Sequence, residues 1–242
     1  MRLDQAIAAR RADISRRKAR DLIAANRVLV NDRPVRVASR EVSEKDRITI
    51  VEAPIELTVI RETSDWVAID KPSGMPTQPT RDRATRSLEE HLRLRYRTIF
   101  LVHRIDTQTS GVVVFAKTKS AAARLSQLFA SREIRKTYLA IIEGQIENEI
   151  TIDSPIDGKD ALTIVTPARP LADSPTRQLV AAEIRTGRMH QIRIHLASIG
   201  HPVVGDRRYG SKVNAPRMML HAWKLEHDEL GLLEAALPAD FR

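Results

Sequence analysis

Apolar residues in the first fifty positions predict two helices followed by two short strands. The apolar positions with helical spacing are Leu3, Ile7 and Ala8 in the first helix and Ala19, Leu22 and Ile23 in the second. The second helix is predicted to begin near Ser15, because serine is a favoured helix N-cap. Residues 28–30 and 48–50 have the composition of strands, and residues 31–34 read as a turn. The pattern therefore predicts a compact αβ module.

The pattern farther along the chain predicts a sheet with a few helices. Residues 66–69 form a short apolar run that stops at residues 70–74, where proline and glycine favour a turn. Residues 112–116 are uniformly apolar, as in a buried strand. Ser120 is a candidate cap for a helix over residues 121–130, whose apolar positions have helical spacing.

Residues 190–199 fit two periodicities. Strict alternation from Ile192 would make a strand, whereas a spacing of three to four residues would make a helix. Gly200 and Pro202 stand where the C-cap and the stop of a helix are expected. A helix is therefore predicted, with Arg193 in its first turn.

Composition excludes several classes of chemistry. The chain of 242 residues contains no cysteine, which excludes disulfides, thiolate nucleophiles and metal sites with cysteine ligands. No stretch approaches the roughly 20 apolar residues of a membrane helix, and the N-terminus lacks the apolar core of a signal peptide. We therefore expect a soluble, cytoplasmic protein with no membrane partner.

Positive charge is concentrated near the N-terminus. The formal net charge is +9, and residues 1–50 hold 13 Lys and Arg against 7 Asp and Glu. Most of the excess charge therefore lies in the αβ module. Such a module is typical of a segment that binds a polyanion, although a basic face that only aids solubility fits the charge equally well.

The order of motifs in this basic segment resembles that of S4-type RNA-binding domains. The motifs are residues 2–4, 15–19 and 26–32. The candidate RNA-binding side chains are Arg16, Arg17, Lys18, Arg20 and Arg27. Such cations make sequence-independent, salt-sensitive contacts with phosphates, and an ordinary basic helical hairpin is the alternative. The predicted domains are residues 1–52 and 53–242, with a hinge near Pro54.

A dense polar run precedes the strand predicted at residues 112–116. Residues 103–111 read HRIDTQTSG, and Asp106 is their only carboxylate. The cation of Arg104 and neighbouring hydroxyl groups would keep this carboxylate ionised, as a nucleophile requires. A protein-kinase catalytic loop does not fit, because Ile105 separates the arginine from the aspartate. An aspartate that caps a turn and pairs with Arg104 remains the alternative.

This run is similar to the active-site motif of the RluA family of pseudouridine synthases. Later segments resemble family motifs in the same order, namely residues 136–144, 186–196, 199–206, 209–210, 220–222 and 237–241. The resemblance implies an α/β (α+β) protein, in which the S4-like module precedes a catalytic domain with a mixed, mostly antiparallel sheet flanked by helices. Two departures, the proline-rich residues 161–178 and Met189 in place of a small polar residue, could alter substrate fit.

The resemblance also implies roles for individual side chains. Asp106 would be the catalytic carboxylate, Arg104 would help to extrude the target uridine, and Tyr138 would stack on the flipped base. Arg193 would pair with Asp106, because a buried carboxylate without a counter-charge tends to protonate. His190 is expected to be a hydrogen-bonding partner near Arg193.

The implied reaction is the isomerisation of uridine to pseudouridine within RNA, with no metal and no cofactor. The carboxylate would attack either C6 of the base or C1′ of the sugar, and the sequence does not choose between them. A metal site at His190 and His195 is not expected, because their spacing does not place both on one helical face. We expect a monomer that acts on structured RNA, with ribosomal RNA first and transfer RNA second. The alternatives are an RNA-binding or ribosome-assembly protein without the chemistry, and a glycosidase that releases the base.

Overall fold

The chain divides into two compact units in a computed structural model. One unit consists of Met1–Glu56 and Glu90–Thr98, and the other of Leu57–Glu89 and Ile99–Arg242. The structure describes residues 1–25, 27–51, 56–80, 86–171 and 174–241, without the side chains of residues 170, 171, 174 and 175. The domain boundary predicted after residue 52 and the hinge at Pro54 lie outside the described residues, so the boundary stays a prediction.

The N-terminal unit places two helices beside a small antiparallel sheet. Its first elements are α1 (Leu3–Arg10), α2 (Arg16–Ala24), β1 (Val28–Val30), β2 (Arg33–Pro34) and β3 (Ile48–Ile50). The sheet order is β2-β1-β3. The hydroxyl of Ser15 accepts a hydrogen bond from the backbone N–H of Lys18 at 3.2 Å, which confirms the predicted N-cap of α2. The predicted helices and strands are therefore present, and Leu3, Ile7 and Ile23 are buried between them.

The second unit is built on one large sheet. Its elements, with α3 that extends into the other unit, are β4 (Thr58–Glu62), β5 (Trp66–Lys71), α3 (Leu88–Arg95), β6 (Phe100–Leu101), β7 (Ser110–Ala116), α4 (Lys119–Ala130), β8 (Arg135–Glu143), β9 (Ile150–Ile152), β10 (Thr163–Leu171), β11 (Ser174–Ile184), α5 (Gln191–Ser198), β12 (Leu220–His227) and β13 (Gly231–Glu234), with 3-10 turns at Arg207–Tyr209 and Ala239–Phe241. The strand order is β4-β5-β7-β12-β8-β11-β10-β9, with β13 on β12 and β6 on β7. Among the described strands, β7 and β12 pair in parallel and the other neighbours are antiparallel. The predicted mixed, mostly antiparallel sheet is confirmed.

Two helices pack their apolar faces on this sheet. Leu125 of α4 lies in a buried cluster with Val112 and Val114 of β7. Leu196 of α5 lies in a second cluster with Val180 of β11. Burial of these side chains removes apolar surface from water and fixes each helix against its strand. The helix predicted within residues 190–199 is thus confirmed, and it places its first turn at the edge of the site described below.

Two predicted boundaries were wrong. Thr118, not Ser120, caps α4, because its backbone is extended and its hydroxyl accepts a hydrogen bond from the N–H of Ala121 at 3.2 Å. The strand predicted to stop after residue 69 continues through Lys71, whose register partner on β7 is Gly111. The cap is set by the extended backbone of Thr118. The end of the strand is set by the pairing of Asp70 and Lys71 with β7.

Most of the described residues in the proline-rich segment 161–178 belong to strands. The hairpin of β10 and β11 contains most of this segment, and its register shifts between Pro167 and Arg169. Proline has no N–H to donate to a ladder, so an irregularity beside Pro167 is expected.

In the parts of the chain that the structure describes, no helix has the length and apolarity needed to cross a membrane.

Candidate active site

Asp106 lies on an irregular loop that leads into the buried strand β7. Residues 102–106 have no regular structure, and the N–H of Thr109 donates to the carbonyl of Asp106 at 3.1 Å to close a turn. The hydroxyl of Thr77 donates to the carbonyl of Ile105 at 2.8 Å and accepts from its N–H at 3.3 Å. The N–H and the carbonyl of Ile105, the residue before Asp106, are therefore both hydrogen bonded.

His103 fixes the beginning of this loop. Its Nε2 accepts a hydrogen bond from the N–H of Val114 at 2.9 Å, and its ring stacks on Phe129 with centroids 3.9 Å apart. Burial, reinforced by the charge of Lys136, lowers the pKa of His103 to about 3. The ring therefore stays neutral at ordinary pH, which leaves Nε2 available as an acceptor.

Lys71 is a buried lysine that fixes the loop after Asp106. Its Nζ donates to the carbonyls of Pro72 at 2.9 Å, Met75 at 2.7 Å and Thr107 at 3.2 Å. The side chain is fully buried, and burial lowers its pKa to about 7, although the nearby Asp106 acts in the opposite direction. The sequence did not identify Lys71; its signal was a lysine at the end of an apolar strand, directly before a Pro-Ser-Gly turn.

A close backbone approach requires glycine where the loop enters β7. Gly111 has φ +112°, and a Cβ at this position would lie 2.1 Å from the carbonyl oxygen of Ala222. Gly111 and Ala222 are register partners in the parallel pairing of β7 and β12. The loop that carries Asp106 is thereby joined directly to the centre of the sheet.

Arg193 provides the counter-charge of Asp106. Its Nη1 donates to Oδ2 of Asp106 at 3.1 Å, while its Nε and Nη2 donate to the two carboxylate oxygens of Asp206 at 2.6 and 2.9 Å. Burial opposes the charge, but the hydrogen bonds with Asp206 and then Asp106 raise the pKa of Arg193 above its usual value. The alternative pairing with Arg104 is wrong, because the exposed Arg104 has no ion pair within the described residues.

Asp206 is a site residue that the sequence did not identify. Its side chain is almost fully buried, and it binds Arg193 through both carboxylate oxygens. The residue lies 13 positions after Arg193, in a loop stabilised by its own N–H donating to the carbonyl of Val203 at 3.0 Å. Its position in a segment that resembled a family motif was the available signal.

His190 stands directly before α5, between Asp106 and Tyr209. Its backbone is left-handed, with φ 57°. Nδ1 lies 2.9 Å from the hydroxyl of Tyr209, and Nε2 lies 3.8 Å from Oδ1 of Asp106, beyond hydrogen-bond distance. Burial lowers the pKa of His190 below its usual value, so the ring is neutral at neutral pH. The counter-charge of Asp106 is consequently left to Arg193.

The hydroxyls of Thr109 and Ser110 differ from expectation, because no hydrogen bond joins either of them to the carboxylate of Asp106 among the described residues. The hydroxyl of Ser110 is hydrogen bonded to Nδ1 of His221 at 2.9 Å and accepts from Arg217, so these contacts do not involve the carboxylate of Asp106. The hydroxyl of Thr109 is buried without a hydrogen-bond partner among the described residues. Both ring nitrogens of His195 are engaged, with the hydroxyl of Thr163 and the carbonyl of Ser154.

The predicted site residues of the second unit meet at one cavity. Arg104, Asp106, Tyr138, His190 and Arg193 all line it. Tyr138 is half-buried on β8, and burial together with the nearby carboxylate raises the pKa of its phenol above the usual value. The cavity therefore presents a carboxylate paired with a fixed guanidinium, beside the ring of a neutral phenol.

The predicted RNA-binding cations lie in the N-terminal unit. Arg16 and Arg20 both donate to the buried carboxylate of Asp4, at 3.3 and 3.0 Å, whereas Nε of Arg27 donates to the carbonyl of Val51 at 3.0 Å. The remaining two, Arg17 and Lys18, have exposed side chains without hydrogen-bond partners among the described residues. The basic face of α2 is therefore open to a polyanion.

Comparison with known proteins places this geometry in a family. The sequence profile of the RNA pseudouridylate synthases matches residues 65–198, and that of the S4 domain matches residues 1–48. This chain belongs to the RNA pseudouridylate synthase family. The matched region contains the cavity-lining residues Asp106, Tyr138 and Arg193, so the protein is an RNA pseudouridine synthase, an isomerase, with an S4 RNA-binding domain.

Relatives and a solved structure agree with this assignment. Uncharacterized RNA pseudouridine synthase YhcT of Bacillus subtilis (strain 168) is 36% identical over 230 residues, which cover 84% of this chain and 76% of that protein. Ribosomal large subunit pseudouridine synthase D of Nitrosomonas europaea is 32% identical, over 82% of this chain and 67% of that protein. The structure of human RNA pseudouridylate synthase domain containing 1 aligns with a TM-score of 0.66 and 28% identity, over 77% of this chain and 85% of that one.

Proposed function

We propose that this RNA pseudouridine synthase uses Asp106 as its nucleophile on a uridine flipped into the cavity. The observation that carries the proposal is the 3.1 Å hydrogen bond from Arg193 to Asp106 in a cavity that Tyr138 also lines. A partly buried carboxylate with a fixed guanidinium partner remains ionised, which a nucleophile requires. A neutral His190 beside it adds no second positive charge.

Flipping removes the uridine from its stack in RNA. Extrusion of a base requires a few kcal/mol, and stacking on an aromatic ring returns about 1–3 kcal/mol. Tyr138 supplies that ring in the cavity wall. Arg104 is exposed at the same cavity and has no ion-pair partner among the described residues, so its guanidinium is available to occupy the space that the base leaves.

The chemistry conserves all atoms of the uridine. The carboxylate of Asp106 bonds to C6 of the base or to C1′ of the sugar, and the N1–C1′ bond breaks. The uracil rotates while it is held against Tyr138, and a bond forms between C5 and C1′. On the C1′ route the bond to Asp106 breaks as the C5–C1′ bond forms, and on the C6 route it breaks afterwards. On both routes the C5 proton leaves and N1 gains a proton. No electrons are exchanged with an outside group, so the product has the mass of the substrate.

Ribosomal RNA is the proposed substrate, with transfer RNA second, and the protein is proposed to act as a monomer. The S4 domain supports a structured RNA, and its exposed cations contact phosphates rather than particular bases. The Nitrosomonas relative is named as a ribosomal large subunit enzyme, which favours the ribosomal substrate.

Substitution of the carboxylate tests the proposal. Asp106→Asn should abolish pseudouridine formation in RNA from cells that lack the protein, while RNA affinity stays within a few fold. Asp228→Asn, an exposed aspartate outside the cavity, is the matched control and should retain activity. Pseudouridine mapping of total RNA from cells with either variant identifies the uridine and the class of RNA. Full activity of Asp106→Asn would overturn the nucleophile; loss of a transfer RNA site alone would overturn the ribosomal substrate.

A further inference from the structure

A polar groove of about 490 Å³ adjoins the cavity that holds Asp106. Two loops, residues 76–80 and 104–108, line most of it, together with His190, Arg193 and Arg208. The groove shares Asp106 with the smaller cavity. Ligand clefts of roughly 300–1,000 Å³ accept small organic molecules, so the groove has room for a group of nucleotide size beside the target uridine.

Gln78 and Gln108 extend from backbone that is fixed by hydrogen bonds. Gln78 follows Thr77, whose hydroxyl is hydrogen bonded to the backbone of Ile105. The carbonyl of Gln108 accepts from the hydroxyl of Ser73 at 2.6 Å. Both residues line the groove, and the two side-chain amides have no hydrogen-bond partner among the described residues. The backbone beside both amides is therefore fixed, and the amides are available to a ligand.

An amide offers the chemistry that a nucleobase edge needs. Each glutamine side chain has an oxygen that accepts and a nitrogen that donates, and such a pair can match the adjacent donor and acceptor of a base. Arg208 is exposed at the same groove and has no ion pair among the residues that the structure describes. Its guanidinium is suited to a phosphate. Amides beside a cation therefore fit one nucleotide.

We propose that this groove binds the nucleotide adjacent to the target uridine, with Gln78 and Gln108 contacting its base and Arg208 contacting its phosphate. The proposal rests on the proposed position of the uridine at Asp106. It assigns part of the substrate selectivity to the catalytic unit itself. The phosphate contacts of the S4 domain do not distinguish bases, so selectivity for a base next to the uridine needs side chains of this kind.

A base-replacement experiment tests the assignment. The substrate is an RNA fragment that carries the uridine found by mapping, prepared with each base at the positions immediately 5′ and 3′. Wild-type protein should discriminate between bases at one of these positions by about tenfold in kcat/KM. The double variant Gln78→Ala, Gln108→Ala should reduce this discrimination in kcat/KM to about threefold or less. Most of the change should come from lower activity on the preferred RNA.

Matched variants separate the groove from general effects. Gln127→Ala changes an exposed glutamine of α4 that does not line the groove, and it should keep the wild-type discrimination. Arg208→Gln should weaken RNA binding for every flanking base and make the salt dependence shallower by about one. Arg132→Gln, another exposed arginine outside the groove, should leave that slope unchanged.

The results distinguish this inference from the proposed function. If the double variant keeps the wild-type discrimination, or if wild-type protein shows none, the groove does not read a flanking base. An unchanged salt slope for Arg208→Gln would remove the phosphate contact. Persistence of activity in Asp106→Asn would instead overturn the proposed nucleophile, whatever the flanking bases show.

Discussion

Asp206 binds two nitrogens of the Arg193 guanidinium, and Asp106 accepts from the third. The distances are 2.6 and 2.9 Å to Asp206 and 3.1 Å to Asp106. A bidentate arginine–carboxylate pair fixes the plane of the guanidinium. Asp206 therefore determines the direction of the nitrogen that reaches Asp106, and it is a positioning residue.

Asp206→Asn should lower kcat by about tenfold or more, because Arg193 loses the carboxylate that orients it; a tenfold loss corresponds to about 1.4 kcal/mol. KM for RNA should change by only a few fold, since Asp206 is buried away from solvent. The unfolding free energy should fall by about 3 kcal/mol, as when one partner of a buried ion pair is removed. Steady-state kinetics measure kcat and KM, and denaturant unfolding measures the change in stability.

Asp240→Asn is the matched control for Asp206→Asn. Asp240 binds Arg217 through two contacts of 2.6 and 2.7 Å, but neither residue lines the cavity. This variant should keep wild-type kcat. A normal kcat in Asp206→Asn, or an equal loss in both variants, would contradict a positioning role.

Two substitutions at Tyr138 separate its ring from its hydroxyl. Tyr138→Phe should preserve flipping of the target base, because the aromatic face remains. Tyr138→Ala should reduce the flipped population by the stacking free energy, about 1–3 kcal/mol. A fluorescent purine analogue next to the target uridine reports flipping in each complex. Equal loss of flipping in both variants would show that the hydroxyl, not the ring, holds the base.

Lys71→Met should loosen the loop that follows Asp106. The carbonyls of Pro72, Met75 and Thr107 would lose their donor, at about 1–3 kcal/mol of unfolding free energy. We expect kcat to fall while RNA affinity stays within a few fold, since Lys71 is fully buried. Single-turnover rates and filter binding measure the two effects. Lys159→Met, at an exposed position, controls for loss of charge. Wild-type kcat in Lys71→Met would exclude the positioning role.

The sequence indicated the side chains proposed for the chemistry better than those that hold them in place. Asp106, Tyr138 and Arg193 stand in motifs with a recognisable order, and the structure brings them to one cavity. Lys71 joins its own turn to the carbonyl of Thr107, 36 residues later, and Asp206 contacts Arg193, 13 residues earlier. Neither periodicity nor local composition indicates that Asp206 turns back to the helix of Arg193, so the contact required a structure.

The exact first residue of a helix is also difficult to predict from the sequence. Thr118 and Ser120 both carry a hydroxyl near the start of α4, and the apolar pattern does not choose between two caps two residues apart. The backbone chooses, since Thr118 has the extended conformation of a cap. The left-handed φ of His190 is likewise uncommon for a residue other than glycine, and no feature of the sequence marked it.

Asp4 is a buried carboxylate that binds three arginines of the N-terminal unit. The carboxylate is fully buried and accepts from Arg20 at 3.0 Å, Arg2 at 3.2 Å and Arg16 at 3.3 Å, while these arginines stay about half exposed. Burial alone would raise the pKa of Asp4, but the three hydrogen bonds, led by that of Arg20, lower it to about 2. The stabilisation from Asp4 is therefore present above about pH 4, the unfolded value, and is lost as the pH falls toward 2.

Asp4→Asn provides a test in which charge and position predict opposite results. The substitution removes a negative charge and so raises the net charge of the unit by one. Simple electrostatics therefore predicts tighter RNA binding. We expect RNA binding to be weaker instead, because Arg16 and Arg20 lose the group that orients them. The expected loss of affinity is about threefold to tenfold, as for the loss of one or two phosphate contacts. The loss of stability between about pH 4 and 2 should also be smaller in the variant. Asp13→Asn removes the same charge from an exposed pair with Arg11 and should not weaken binding. Filter binding at fixed salt decides; tighter binding by Asp4→Asn would show that only net charge matters.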